Sequence, residues 1–199
     1  MLHLEICGGI AYGKTTLAQV AGALGLAVVL EDFRANPFFE AFYEDPLRFA
    51  FEAELTFSLQ HYHQLKRAKA RGRSFCVDFS PYLDLAYSLV TLDGGQARTY
   101  QSVYERIRQE IGRPDLLIRL RCPVSIALAR IQKRARREEA GIDIAYLQAL
   151  EDAIEEVCMA SSSAQRVLYI DSGALDFADD IIDRDKAISF LRDSLAEVL

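Results

Sequence analysis

The feature that most constrains this chain is a glycine-rich segment near its start. The segment matches the pattern G-x-x-x-x-G-K-[ST] and reads Gly8-Gly9-Ile10-Ala11-Tyr12-Gly13-Lys14-Thr15. It directly follows an apolar run at 2–7 and directly precedes a helical pattern at 15–24. Glycines let the backbone curve so that several N–H groups converge on phosphate oxygens, and the start of the next helix adds positive potential. The segment therefore predicts a phosphate-binding loop (P-loop) between a first strand and a first helix.

Two side chains of this loop have expected roles in binding a nucleotide. Lys14 is placed to reach the β- and γ-phosphates, and the Thr15 hydroxyl is placed to ligate Mg²⁺. A glycine-rich turn without a ligand is the alternative, and the strand-loop-helix context argues against it. The loop predicts a bound nucleotide such as ATP but does not choose the reaction. The residues expected to hold the nucleotide are Gly8, Gly9, Ile10, Ala11, Tyr12, Gly13, Lys14, Thr15 and Thr16.

Short apolar runs alternate with longer helical patterns along the rest of the chain. Strands are predicted at 2–7, 27–30, 75–77, 116–120 and 166–170. Helices are predicted at 15–24, 45–70, 82–91, 99–111, 124–134, 144–159 and 185–199, with a loop at 160–164. Because the strand runs are mostly continuous rather than alternating, they are typical of a parallel sheet covered on both faces. We expect a single P-loop NTPase domain over 1–199, with a three-layer α/β/α fold and a five-stranded parallel sheet.

Composition narrows the class of function. A net charge of −6 over 199 residues argues against non-specific binding to nucleic acid. No apolar run reaches the roughly 18 residues that a membrane span needs, and the first residues lack the basic region of a signal peptide. The four cysteines form no CxxC pair and no metal-ligand spacing with the three histidines. We therefore expect buried free thiols and a cytoplasmic protein.

Positive charge is concentrated in one segment late in the chain. Within eight positions the segment holds Arg130, Lys133, Arg134, Arg136 and Arg137. In an otherwise acidic protein, such a segment indicates a local anionic ligand such as a phosphate, and a solvated helix face is the alternative. Arg130 and Arg134 are four residues apart, so they are expected to share one face of a helix.

The order of these motifs resembles the deoxynucleoside kinase family, in the branch that holds bacterial deoxyadenosine, deoxyguanosine and deoxycytidine kinases. The resemblance extends from residue 4 to about residue 177 and begins with the P-loop. It continues through Leu30-Glu31-Asp32, Asn36-Pro37-Phe38-Phe39, the helix entry at 42–51, Asp78-Phe79-Ser80 and 130–142. The last of these segments is similar to the family's arginine lid, which we place at about 130–143.

The resemblance implies a kinase that uses ATP and Mg²⁺ to phosphorylate the 5′-hydroxyl of a deoxynucleoside or a related small molecule. It implies that Glu31 is the base that accepts the hydroxyl proton, with an exposed strand-end carboxylate as the alternative. It implies that Asp78 holds Mg²⁺ through water, with a helix N-cap as the alternative. The lid arginines Arg130, Arg134 and Arg136 would fold over the phosphates.

The resemblance also implies contacts to the rest of the two nucleotides and a homodimer. Tyr43 and Glu139 match the pair that reads the sugar 3′-hydroxyl, and Asp84 matches a carboxylate near the substrate base. Surface or core positions are the alternative for these three residues. Asp176 and Phe177 are similar to the loop under the donor adenine.

Departures from the family pattern concentrate in the half that would bind the acceptor. Phe79 stands where the family has an arginine beside the transferred phosphate, and His61 stands where it has another arginine. Arg137 or Arg34 could replace the first of these. Glu54 aligns with the family's base-reading glutamine. An ionised glutamate offers only acceptors, which suits the two neighbouring donors of guanine. The sequence therefore predicts a kinase with an altered acceptor preference; the alternatives are a thymidylate-kinase-like enzyme and a nucleotide-binding homologue with little catalysis.

Overall fold

The computed structural model describes residues 1–162, 166–177 and 180–196. Its centre is one sheet of five parallel strands in the order β2-β3-β1-β4-β5. The strands are β1 His3–Cys7, β2 Ala27–Val29, β3 Phe75–Val77, β4 Leu116–Arg121 and β5 Val167–Asp171. All five predicted strands are confirmed within one or two residues at each end.

Eight helices cover this sheet in the described part of the chain. They are α1 Lys14–Ala23, α2 Phe39–Glu44, α3 Pro46–Ala70, α4 Pro81–Thr91, α5 Gly94–Ile111, α6 Val124–Arg134, α7 Ile144–Ser162 and α8 Ile181–Ala196. Two single turns of 3₁₀ helix lie at Phe33–Ala35 and Arg137–Glu139. The alternation of helices with parallel strands confirms the α/β prediction.

Alternating side chains of the central strand supply cores on both sides of the sheet. Leu4 and Ile6 pack with α1 and α8 on one side. Cys7 packs with α4 and α7 on the other side. A parallel sheet needs this double cover, because neither face can remain in water. The three-layer arrangement is therefore confirmed, and it places the carboxyl end of β1 at the centre of one edge of the sheet.

Several helix boundaries differ from the prediction. α5 begins at Gly94 rather than at residue 99, so its first turn includes Gly94 and Gly95, which lie outside the predicted helices. α7 continues through Ser162, so the part of the predicted 160–164 loop that the structure describes is helical; 163 and 164 lie outside the described residues. α8 begins at Ile181 rather than at 185, because the Asp180 carboxylate accepts hydrogen bonds from two of its first N–H groups. Its predicted end at 199 lies outside the described residues.

Two further expectations concern the membrane and the cysteines. Among the helices of the described segments, none has both the length and the apolar character that a bilayer span requires. The four cysteines are buried and free, and the sulfur atoms of Cys7 and Cys158 lie 3.8 Å apart.

Candidate active site

The P-loop connects β1 to α1 at the point where the strand order changes direction, since β3 and β4 lie on opposite sides of β1. Gly13 precedes α1 with φ of 89°, a left-handed conformation that favours glycine. A Cβ atom on Gly13 would also lie 2.7 Å from the Phe177 ring. Ala11 has φ of 63°, a strained value for a residue with a side chain. Strain of this kind is typical of a loop whose shape serves a ligand.

Lys14, which the sequence predicts to contact the phosphates, is the first residue of α1. The Lys14 Nζ donates hydrogen bonds to the carbonyl oxygens of Gly8 and Gly9, at 2.9 and 3.0 Å. Burial lowers the pKa of Lys14, although the charges of Glu31 and Asp78 favour its protonated form. The lysine therefore lies over the loop, between the phosphate cradle and two carboxylates.

A buried ion-pair network fixes the outer side of the P-loop. The Tyr12 hydroxyl donates to Glu151 on α7 at 2.9 Å, and Glu151 is 2.6 Å from Arg119 of β4. Arg119 is fully buried, and Glu155 lies 3.6 Å from it. Because Tyr12 belongs to the loop, this network ties the loop to the sheet and to α7. Nothing in the sequence motif itself predicts this support.

A pair of oxygen donors stands at the place predicted for Mg²⁺. The Thr15 hydroxyl donates to the Asp78 carboxylate at 2.6 Å, and the other oxygen of that carboxylate accepts the Glu31 backbone N–H at 2.6 Å. A hydroxyl and a carboxylate beside a phosphate cradle fit Mg²⁺, which prefers oxygen ligands and completes its shell with water and phosphate. The described residues contain no cluster of three or more His, Cys, Asp or Glu side chains able to hold a metal. The helix cap that was the alternative for Asp78 is Ser80, whose hydroxyl accepts the Tyr82 N–H.

One cavity of about 670 Å³ joins the P-loop to the predicted acceptor residues. Its size is in the range of small-molecule sites. We define the donor half as the P-loop, the lid arginines and 175–177, and the acceptor half as the end lined by Glu31, Phe39, Tyr43, Glu54, Phe57, His61, Asp84 and Tyr87. With the exception of Gly8 and Gly9 in the wall of the P-loop, every predicted site residue lines this cavity.

The lid segment crosses the donor half. Arg130 donates to the Ser172 carbonyl oxygen at 2.7 Å, which joins α6 to the loop after β5. Arg134 forms a bidentate pair with Glu139, and Arg136 lies 3.5 Å from the same carboxylate. α6 ends at Arg134, and Ala135 follows in a left-handed conformation that turns the chain toward Arg136. All three arginines therefore line the same cavity.

Residues predicted to contact the sugar and the adenine also lie in the cavity. Glu139 is 4% exposed, and its charge adds to the burial that raises the pKa of Tyr43. The two side chains are therefore close, as a shared sugar contact requires. Asp176 lies at the mouth of the donor half, and its N–H bonds to Asp183 at 3.0 Å. Phe177 is buried beneath Gly13, so it supports the P-loop from below.

The predicted base Glu31 has a buried histidine as its neighbour. His61 Nε2 lies 3.2 Å from Glu31 Oε1. His61 Nδ1 lies 2.9 and 3.0 Å from the two oxygens of Asp84. Burial opposes ionisation of Glu31, but His61 and then the Lys14 charge outweigh it, and the pKa of this carboxyl is lowered. Glu31 is thus ionised at neutral pH, the state that a proton acceptor needs.

Phe79 lies behind His61 and is not among the residues that line the cavity. It is 1% exposed, and its ring stacks on the His61 ring with centroids 4.1 Å apart and an interplanar angle of 9°. Sequence reasoning marked His61 and Phe79 as two separate departures from the family pattern. The structure shows that they are in contact. A helical signal was available for His61, because it lies seven residues after Glu54 and so faces the same way.

Glu54 points into the acceptor half, as the guanine hypothesis requires, but its charge state differs from the one assumed. Burial raises its pKa to about 8, and the Asp84 charge contributes in the same direction. The Thr91 hydroxyl donates to Glu54 at 3.2 Å, which only partly opposes the shift. At neutral pH the carboxyl is therefore mostly protonated, and it offers one donor and one acceptor, as a glutamine amide does.

These features define a class of protein: a P-loop phosphotransferase with a phosphate-binding loop, several arginines and the carboxylate of Glu31 around one cavity. The chain belongs to the deoxynucleoside kinase family, since the family model described as "Deoxynucleoside kinase" matches residues 4–195. This finding confirms the resemblance and establishes an enzyme of the phosphotransferase type.

Individual relatives agree with the family assignment. Deoxyguanosine kinase of Bacillus subtilis (strain 168) is 28% identical over 183 residues, which are 87% of this chain and 88% of the relative. The deoxyadenosine/deoxycytidine kinase of the same organism is 28% identical over 161 residues, covering 76% and 74% of the two chains. A solved structure of deoxyadenosine kinase from M. mycoides with the products dCMP and a flexible dCDP bound matches with a TM-score of 0.80. Its identity is 25%, over 98% of both chains.

Proposed function

We propose that this enzyme transfers the γ-phosphoryl group of ATP to the 5′-hydroxyl of a deoxynucleoside. The observation that carries the proposal is the single cavity in which an ionised Glu31 faces the P-loop lysine and the lid arginines. Phosphoryl transfer needs an in-line acceptor oxygen, a group to accept its proton and positive charge around the moving phosphoryl group. The cavity lining supports the last two requirements, because Glu31, Lys14 and the three arginines all line it, and the nucleoside would supply the acceptor oxygen.

The roles of the side chains follow from their positions. The P-loop N–H groups and Lys14 would hold the β- and γ-phosphates, and Arg130, Arg134 and Arg136 would neutralise the charge that develops during transfer. Glu31 would accept the proton of the acceptor hydroxyl, while Tyr43 and Glu139 hold the sugar. Thr15 and Asp78 would hold Mg²⁺, which would supply positive charge to the phosphate groups.

The charge of the acceptor half favours a nucleoside over a nucleoside monophosphate. Glu31 and Asp84 are both acidic side chains of this half, and His61 lies between them. A phosphate on the acceptor would meet the Glu31 carboxylate, whereas a neutral hydroxyl can donate its hydrogen to it. The thymidylate-kinase-like alternative and the non-catalytic alternative gain no support from the comparisons.

A nucleoside panel tests the proposal directly. Purified enzyme with ATP and Mg²⁺ is expected to phosphorylate at least one of deoxyadenosine, deoxycytidine, deoxyguanosine and thymidine. Lys14→Ala is expected to remove the activity, whereas Lys186→Ala, an exposed ion-pair variant of α8, is expected to retain it. Absence of transfer to every nucleoside, with ATP still bound, would contradict the proposal. Transfer only to monophosphates would support the thymidylate-kinase-like alternative instead.

We also propose that the enzyme is a cytoplasmic homodimer. α3 and α5 form a shallow groove lined by Leu59, Tyr62, Val103 and Ile107, and Leu59 is 49% exposed. Apolar side chains in a groove of this kind are typical of a protein interface. Sedimentation is expected to give a dimer that Leu59→Glu dissociates and that Leu47→Glu, at a 95% exposed position on α3, leaves intact. A monomeric wild type would contradict the proposal, and cell fractionation tests the location.

A further inference from the structure

We propose that His61 is a positioning residue that gives Glu31 the cationic partner which Phe79, at the place of the family's arginine, cannot supply. The inference deepens the proposed function, because it concerns how the base of that reaction is held. It rests on the geometry of four side chains. His61 lies between Glu31 and Asp84: its Nδ1 is hydrogen-bonded to Asp84, its Nε2 is within ion-pair distance of Glu31 Oε1 without hydrogen-bond geometry, and its ring lies flat on Phe79.

The two acidic neighbours of His61 favour a protonated imidazole ring. A neutral imidazole carries one N–H, so it could donate to one carboxylate while directing a lone pair at the other. Both nitrogens of His61 face carboxylate oxygens, at 3.2 Å on one side and 2.9 Å on the other. An imidazolium donates from both nitrogens and removes the conflict.

The groups that face His61 favour its cationic form. Burial alone would lower its pKa, but Asp84 from α4 and Glu31 from the segment after β2 raise it to about 10. Glu54 lies two helical turns earlier on α3, and His61 in turn opposes the rise in the pKa of Glu54. The remaining faces of the ring contact Phe79 and Phe57, which carry no charge. The acceptor half therefore contains a cation held between two carboxylates.

The His61 cation lies between Glu31, the proposed proton acceptor, and Asp84, the carboxylate predicted to lie near the substrate base. Glu31 and Asp84 would repel each other in a buried site, and one of them would gain a proton. With His61 between them, the positive ring offsets this repulsion, and one oxygen of Glu31 lies 3.2 Å from the ring. The other oxygen remains available to the acceptor hydroxyl. His61 acts through Glu31 and has no direct part in proton transfer.

The stack between His61 and Phe79 predicts that the two positions are coupled. An arginine introduced at 79 would lie about 4 Å from the imidazolium, so two cations would repel each other in a buried space. When the histidine is absent, the same arginine could replace its charge beside Glu31. Phe79→Arg is therefore expected to lower kcat when His61 is present and to raise kcat when His61 is replaced by glutamine.

The experiment is a double-mutant cycle with a matched control. His61→Gln keeps the size and one donor but removes the charge, and it is expected to lower kcat at least tenfold with the KM for ATP within twofold. His61→Arg is expected to keep kcat within about threefold. Phe79→Arg alone is expected to lower kcat, and the same change in the His61→Gln protein is expected to raise it at least fivefold. His63→Gln, at an exposed position of α3, is the control and is expected to change nothing.

A spectroscopic readout separates this inference from the proposed function and from misfolding. Nitrogen-15 NMR of the imidazole rings is expected to show both nitrogens of His61 protonated at pH 7.5. In the Asp84→Asn variant, the protonation equilibrium of His61 is expected to shift toward the neutral ring. This result needs no nucleoside activity. A neutral His61 at pH 7.5 would overturn the inference, as would a folded His61→Gln protein with unchanged kcat. Failure of the nucleoside panel with an imidazolium present would overturn the proposed function alone.

Discussion

Glu54 is expected to give the acceptor half a pH-dependent choice of base. Its carboxyl is 5% exposed, and burial with the neighbouring Asp84 charge raises its pKa to about 8. Below this pH the protonated group offers a donor and an acceptor, which suits adenine or cytosine. Above it, the carboxylate offers acceptors only, which suits guanine. The protonation states of its neighbours do not change near this pH. Burial raises the pKa of the nearby tyrosines, which are Tyr43, Tyr87, Tyr100 and Tyr146. The acceptor carboxylates keep His61 protonated.

The magnitude follows from the ratio of the two forms. With a pKa of about 8, the ratio of ionised to protonated Glu54 rises from about 0.03 at pH 6.5 to about 3 at pH 8.5. If each form reads only its own bases, the kcat/KM for deoxyguanosine relative to deoxyadenosine rises about a hundredfold over these two pH units. Steady-state kinetics with both nucleosides in one buffer series measure this ratio.

The variant Glu54→Gln separates this effect from every other titration in the enzyme. The amide cannot ionise, so the ratio is expected to stay constant with pH and to favour deoxyadenosine or deoxycytidine. Stability provides an independent readout. Because the folded-state pKa of Glu54 lies above the ordinary 4.5, its contribution to stability falls as pH rises from about 4.5 to 8, and the glutamine variant lacks this loss. A wild-type preference that does not move with pH would refute the reasoning.

Three further predictions test the rest of the site. Glu31→Gln is expected to lower kcat by about 10²–10⁴ with ATP affinity unchanged in a binding titration, because the variant lacks the proton acceptor; a loss below tenfold would exclude Glu31 as the base. Glu151→Gln leaves the buried Arg119 without its nearest carboxylate, so denaturant unfolding is expected to show a loss of about 3 kcal/mol and kinetics a higher KM for ATP; wild-type stability would contradict the role of the network. Gly13→Ala adds a Cβ atom at positive φ and 2.7 Å from the Phe177 ring. Calorimetry is expected to show that the free energy of unfolding falls by about 1–3 kcal/mol, and a binding titration is expected to show at least tenfold weaker ATP binding. Unchanged binding by a stable Gly13→Ala protein would show that the loop tolerates the side chain.

Local chemistry explains why much of this protein was predictable from its sequence. The P-loop is a contiguous segment whose glycines and helix start determine its shape, so its position and its lysine could be predicted without a structure. The strands were predictable because a buried parallel strand needs a continuous apolar run. The basic segment was visible in the sequence because five basic residues fall within eight positions of an acidic chain, but its interpretation as a lid came from the family resemblance. The helix ends at 94 and 181 were not, because they depend on local turns and on a capping contact by Asp180.

The charge states of the acceptor half were decided by the tertiary structure alone. The sequence determined which ionisable residues are present, and the family pattern marked His61, Glu54 and Phe79 as departures. It could not determine that His61 meets residues 30 positions before it and 23 positions after it, or that Glu54 is buried enough to hold its proton. A pKa depends on desolvation and on charges within a few ångströms, and both arise only when distant segments pack together. The sequence thus determined the fold and the phosphate site, whereas the packing of α3 against α4 and the end of β2 decided the chemistry offered to the acceptor.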